Sequence, residues 1–120
     1  MEKEIENWWQ QAERDLDTAN YLFDGKRYKE ASFFCQQAAE KALKALLLKK
    51  EAKIIKIHDL VKLAQLVNIS DDLLTDCEKL TFVYVDTRYP DTGKQDYTLN
   101  ETKADVERAK RILQWVEKNI

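Results

Sequence analysis

The sequence predicts an all-α protein, an antiparallel up-and-down four-helix bundle with one additional short helix. Three observations carry this reading. Helix breakers are scarce, with two Gly and one Pro among 120 residues, while strong helix formers dominate. Apolar residues recur at three- and four-residue steps over long stretches. The interruptions between those stretches are mostly short and turn-like, which makes consecutive helices antiparallel neighbours. A length of 120 residues and a 44% hydrophobic content suit one core, so residues 1–120 are read as a single domain.

Ile5, Trp8, Trp9, Ala12, Leu16, Ala19 and Leu22 or Phe23 mark one amphipathic face, which places a first helix over about 2–23. Asp24-Gly25 ends it, with Gly25 expected in the left-handed conformation of a helix C-terminus. A second helix follows over about 27–51. Its stripe of Ala31, Phe34, Cys35, Ala38, Ala42, Ala45 and Leu46 is rich in alanine and so admits a neighbouring helix closely. Residues 52–58 lose the pattern, and His58-Asp59-Leu60 opens a short helix that sends Leu60, Leu63, Ala64 and Val67 to the core.

Ser70-Asp71-Asp72 reads as a helix start with a hydroxyl cap and two acids in the first turn. Leu73, Leu74, Cys77, Leu80 and Tyr84 continue that fourth helix. Phe82-Val83-Tyr84-Val85 has the aromatic and β-branched character of a strand, but its place at the end of a helical pattern makes helix the reading. Pro90 disfavours helical geometry at Tyr89, so the helix stops by about 88 and a polar loop runs to 97. Thr98-Leu99-Asn100-Glu101 has capping-box spacing, and Val106, Ala109, Leu113, Val116 and Ile120 carry the last helix to the C-terminus.

The charge is uneven. Residues 41–62 hold seven Lys against Glu51 and Asp59, a local +5 that leaves −7 for the rest of a chain of net charge −2. Such a cluster complements the negative end of a helix, or contacts an anion or nucleic acid. The N-terminus is acidic and lacks an apolar core, so no signal peptide or membrane span is expected and the protein is read as cytoplasmic. Cys35 and Cys77 sit singly in apolar patterns and read as packed thiols. Isolated Gly25 and Gly93 make neither a P-loop nor a dinucleotide fingerprint. One histidine and two separated cysteines offer no metal-ligand spacing, so neither a metal nor a cofactor is expected.

Two segments stand out: the run Gln36-Gln37-Ala38-Ala39-Glu40-Lys41-Ala42-Leu43-Lys44-Ala45 followed by His58-Asp59-Leu60, and Thr87-Arg88-Tyr89-Pro90-Asp91. With Trp9, Ala12, Asp15 and Leu16 in the first helix and Tyr28, Ala31 and Phe33 in the second, they make the chain resemble the HEPN family of prokaryotic helical domains over nearly its whole length. The resemblance implies an antiparallel helical bundle that commonly dimerises and accompanies a minimal nucleotidyltransferase. Many family members are metal-independent RNases of toxin systems that use Arg, four to six residues, then His; the cation holds a phosphate while the imidazole moves a proton. This sequence departs from that pattern, because Gly93, Lys94 and Gln95 stand where the histidine is required after Arg88. Lys53 and His58 have the right spacing, but Lys replaces the Arg fork.

The candidate ligand-binding residues are therefore Glu40, Lys41, Lys44, His58, Arg88, Tyr89 and Asp91, and no catalytic set is assigned. Each also has a plain structural reading: helix-surface ion pairing for Glu40, Lys41 and Lys44, a local hydrogen bond for His58, an ion pair with Asp91 for Arg88, and loop packing for Tyr89 and Pro90. A fourth helix of about 15 residues, at ~1.5 Å per residue, is expected to hold His58 and Arg88 roughly 20 Å apart within one chain. These readings favour a non-catalytic, dimeric HEPN module that partners a nucleotidyltransferase or binds a nucleotide or RNA phosphate. An RNase toxin of a toxin-antitoxin pair with a degenerate site, and a purely structural dimer covering Trp8 or Trp9, are the alternatives.

Overall fold

The computed structural model describes residues 2–53 and 55–120. Met1, at the acidic N-terminus, and Ile54, in the patternless stretch 52–58, lie outside them. The described residues form helices α1 (Lys3–Asp24), α2 (Tyr28–Glu51), α3 (Leu60–Leu66), α4 (Leu74–Arg88) and α5 (Leu99–Asn119), with a 3₁₀ turn at Asp71–Leu73 before α4. The stretch Phe82–Val85 is helical, as its position in the pattern predicts. Among the described residues no helix is long and apolar enough to cross a membrane.

The bundle is organised around α2, which packs against α1, α3, α4 and α5. A helix buried on one stripe needs one apolar face, whereas a central helix is covered nearly all round. Accordingly Ala31, Ala38, Ala39, Ala42 and Ala45 are fully buried and let neighbours approach, while Leu43, Leu46 and Leu47 fill the space between them. Each of those leucines contributes about 1.5–3 kcal/mol by leaving water. Leu60, Leu63, Ala64 and Val67 close one side, and Val106, Ala109, Leu113 and Val116 the other, with Cys35 and Cys77 as buried free thiols.

Polar links tie the helices in register. The Ser32 hydroxyl donates to Asp105 Oδ2 at 2.8 Å and lies 2.9 Å from the Thr102 hydroxyl, joining α2 to α5. Asp76 on α4 accepts two bonds from the Arg111 guanidinium on α5, at 2.9 and 3.0 Å. Lys49 and Lys50, from the basic stretch, donate to the carbonyls of Ile120 and Val67, so two of its cations complete helix C-termini.

Several local expectations change in the folded chain. The left-handed residue after α1 is Lys26 (φ 65°), not Gly25 (φ −82°), because the turn closes one residue later; Arg27 N–H reaches back to the Leu22 carbonyl at 2.8 Å. The Ser70 hydroxyl makes no capping bond, since a 3₁₀ turn intervenes. Thr98, by contrast, accepts from the Glu101 N–H at 3.1 Å as its spacing predicts. Of the adjacent tryptophans, Trp9 is buried, and Trp8 is half-buried, packed against the core on one side. The exposed apolar residues of α4 are Phe82 and Val85, followed by Tyr89 just past its end.

The 89–98 loop folds back on the end of α4. Asp86 accepts from the Tyr97 hydroxyl at 2.6 Å and from the Lys94 N–H at 3.1 Å. Gly93 donates to the Tyr89 carbonyl at 2.7 Å and passes so close that a Cβ there would stand 1.9 Å from the Asp86 carbonyl oxygen. Replacing Gly93 with Ala is expected to destabilise the protein by about 1–3 kcal/mol, because backbone must shift to admit the methyl group. Urea unfolding measures it; an unchanged midpoint contradicts the close approach.

Candidate functional site

The site grows from Glu40, in the middle of the central helix. It is 5% exposed, so its charge must be matched inside the protein. Burial pushes its carboxyl pKa up, but bonds from the Gln36 amide, the Lys44 ammonium and the His58 ring outweigh that and hold it below the ordinary carboxylate value. Gln36 and Lys44 lie one turn to either side on α2, each 3.0 Å from a carboxylate oxygen. The third bond comes from outside the helix: His58 Nδ1 is 3.0 Å from Oε1.

An ionised carboxylate only accepts, so His58 Nδ1 carries a proton and, in the neutral ring, Nε2 is left as the acceptor. The His58 side chain is half exposed and makes no other side-chain hydrogen bond among the described residues. Its ring stacks on Tyr84 of α4, with centroids 4.6 Å apart and planes inclined by 17°. Tyr84 also carries Arg88, one turn on: the guanidinium carbon lies 4.9 Å from the ring centroid, and Nη1 donates to the phenolic oxygen at 2.5 Å.

His58 and Arg88 therefore share one aromatic ring, and the expected separation of roughly 20 Å is wrong. The reason is the course of the chain between them. The segment that opens α3 lies against the middle of α4, where the Leu60 N–H donates to the Thr81 hydroxyl at 3.0 Å, instead of at its beginning. The Arg88 side chain then leans back along α4 to Tyr84.

The other expected roles change too. Glu40 and Lys44 do form an ion pair, but a buried one, with the ammonium 5.8 Å from the centroid of the Trp8 ring. Lys41 points elsewhere, to Asp15 on α1 at 2.5 Å, where Asp15 also accepts from Gln11. His58 bonds across to α2 instead of locally, and Asp59, not His58, caps α3 by accepting from the Val61 and Lys62 N–H groups. Arg88 makes no ion pair with Asp91; Asp91 and Tyr89 are both exposed, so Tyr89 does not pack the loop. Tyr84 and Gln36 are site residues that the candidate set lacked, each marked by four-residue spacing, from Arg88 and from Glu40. Among the described residues no three His, Cys, Asp or Glu side chains converge as metal ligands.

An all-helical bundle in which a buried carboxylate aligns a half-exposed imidazole, with that imidazole and an arginine against one tyrosine ring, defines a helical-bundle domain. The chain belongs to the HEPN domain family, whose model matches residues 5–119. Two solved structures share the fold over almost the full length of both chains. TT1696 from Thermus thermophilus is 30% identical, with a TM-score of 0.90 over 99% of this chain and 100% of that one. ST0689, an archaeal HEPN homologue, is 36% identical, with a TM-score of 0.81 over 98% of each. No curated protein matches.

The lowered Glu40 pKa has a definite sign. Its stabilisation is complete above the ordinary carboxylate value of 4.5 and is lost as the pH falls through its lower folded value. Glu40→Gln leaves Lys44 buried without a counter-charge, so it is expected to lose about 3 kcal/mol at pH 7. That deficit relative to the parent narrows on acidification. Urea unfolding from pH 7 to pH 3 checks both; a deficit independent of pH contradicts an ionised Glu40.

Proposed function

We propose that this HEPN-domain chain is a binding module in which Arg88, Tyr84 and His58 hold a phosphate of a nucleotide or of RNA, and that it works as a homodimer beside a minimal nucleotidyltransferase. One observation carries the reading: Arg88 is an exposed guanidinium, held by stacking on Tyr84 and free of any ion pair among the described residues, next to a half-exposed histidine. A planar guanidinium matches a phosphate with two parallel bonds. The nearest buried negative charge does not compete, because Lys44 offsets Glu40 from within. Family membership supports the partner and dimer parts of the reading. Phe82, Val85 and Tyr89 form an exposed apolar row at the outer side of α4, beside Arg88.

Arg88→Ala is expected to weaken binding of AMP or pyrophosphate about 10- to 100-fold, the loss of charge-assisted bonds, while the fold is retained. Calorimetric titration measures it, and a parent protein indifferent to both ligands rules the reading out. Light scattering at micromolar concentration is expected to give a dimer, which Phe82→Glu splits. Copurification from the native host tests for the nucleotidyltransferase.

Cleavage of RNA is the second reading, and the Glu40–His58 pair favours it. A carboxylate that fixes the imidazole tautomer leaves Nε2 able to move a proton while Arg88 holds the phosphate. This reading predicts EDTA-resistant cleavage abolished by both His58→Ala and Arg88→Ala. Several RNAs left intact by the parent protein remove it.

A further inference from the structure

Helices α1 and α5 pack side by side and antiparallel, with Ile5 near the start of one and Ile120 past the end of the other lining the same cavity. Between them runs a groove of about 320 Å³. Its floor is apolar: Trp9 and Leu113 are buried, and Leu16 is half-buried against the core. Its rim is acidic. Glu13 and Asp17 stand one turn apart on α1 and Glu117 comes from α5, against one lining cation, Lys110.

All three carboxylates are exposed, and among the described residues none of them forms an ion pair. Like charges so placed repel. Partial burial pushes the Glu13 carboxyl pKa above its ordinary value, and the charges of Glu117, Asp17 and Glu6 push it further. The buried acids Asp15, Asp76 and Asp105 each meet a cation of their own chain. The rim of this groove instead carries unmatched negative charge above an apolar floor.

Such a rim repels phosphates, nucleic acid and anionic membranes and attracts cations. A groove between two antiparallel helices accepts a third helix, whose ridge of side chains enters it. From Trp9 to Asp17 it spans about 12 Å at ~1.5 Å per residue, roughly two turns of that helix. We propose that the α1–α5 groove docks a basic amphipathic helix of a partner protein. Its apolar side chains lie over Trp9, Leu16 and Leu113, and its lysines or arginines stand beside Glu13, Asp17 and Glu117. Neither the Arg88 and His58 pair nor the exposed row of α4 takes part, so the inference stands apart from the phosphate reading.

The probe is an acetylated, amidated Leu/Lys peptide of about 14 residues patterned as an amphipathic helix. In calorimetric titration of the whole chain it is expected to bind about tenfold more tightly than spermidine or a peptide of the same composition with Leu and Lys alternating. Glu13→Gln combined with Glu117→Gln weakens it about tenfold. Asp72→Asn combined with Glu78→Gln removes the same charge from exposed acids elsewhere and leaves binding unchanged. Amide resonances of Leu16 and Leu113 shift on binding. Equal affinity for the three probes makes the groove a general cation site and overturns the helix. Equal weakening by the two double variants reduces the attraction to net charge and overturns the groove. An oligomer that light scattering finds split by Glu13→Gln with Glu117→Gln makes a second copy the occupant, which also overturns the proposal. Shifts confined to α4, or no binding of the patterned peptide, do the same.

Discussion

Glu40 is a carboxylate in the middle of α2, the helix that packs against each of the other four, and the surroundings of the site follow from keeping it charged. An ionised group left alone in such a place costs several kcal/mol. Here both oxygens are met, one by Lys44 and one by Gln36 and His58. The partners are drawn from two places: the same helix one turn away on each side, and the segment before α3. Lys44 in turn is covered by Trp8 of α1. One buried charge thus links α1, α2 and the approach to α3, and fixes which imidazole nitrogen meets solvent.

Tyr84 extends that link to α4. Its ring lies against His58 and Arg88 and holds both without adding charge. Stacking, with one bond from Nη1 to the Tyr84 hydroxyl, limits the orientation of the guanidinium yet leaves its other donors free for a ligand. The site is consequently assembled from three elements, α2, the segment before α3 and α4, with its negative charge neutralised inside and its positive charge exposed.

The same arrangement recurs where no ligand role is proposed. Asp15 pairs with Lys41, Asp76 with Arg111, and Asp105 with Ser32 and Arg108. Each link joins or braces a different contact between helices, so polar groups add directional constraints to an apolar core that by itself tolerates sliding. Burial, with the nearby charge of Glu101, raises the Asp105 carboxyl pKa despite bonds from Ser32 and Arg108, whereas three bonds keep Glu40 low.

The five helices were legible because burial on a helix imposes a three- and four-residue period, and that period survives in Ile5, Trp9 and Ala12 or in Val106, Ala109 and Leu113 without reference to any neighbour. The Thr98 cap and the stop before Pro90 were legible for the same reason: each depends only on residues within one turn. The family was readable from short runs such as Gln36 to Ala45 and Arg88 to Asp91. What the local pattern did not contain is which face of α2 lies inside. A central helix is buried nearly all round, so Glu40 and Lys44 read as surface residues until the other helices are placed about them. Likewise, helix length suggested that His58 and Arg88 stand apart, whereas the return of the chain before α3 and the ring of Tyr84 bring them together. Periodicity records what each helix buries; only the packing of helices against one another decides which distant side chains meet there.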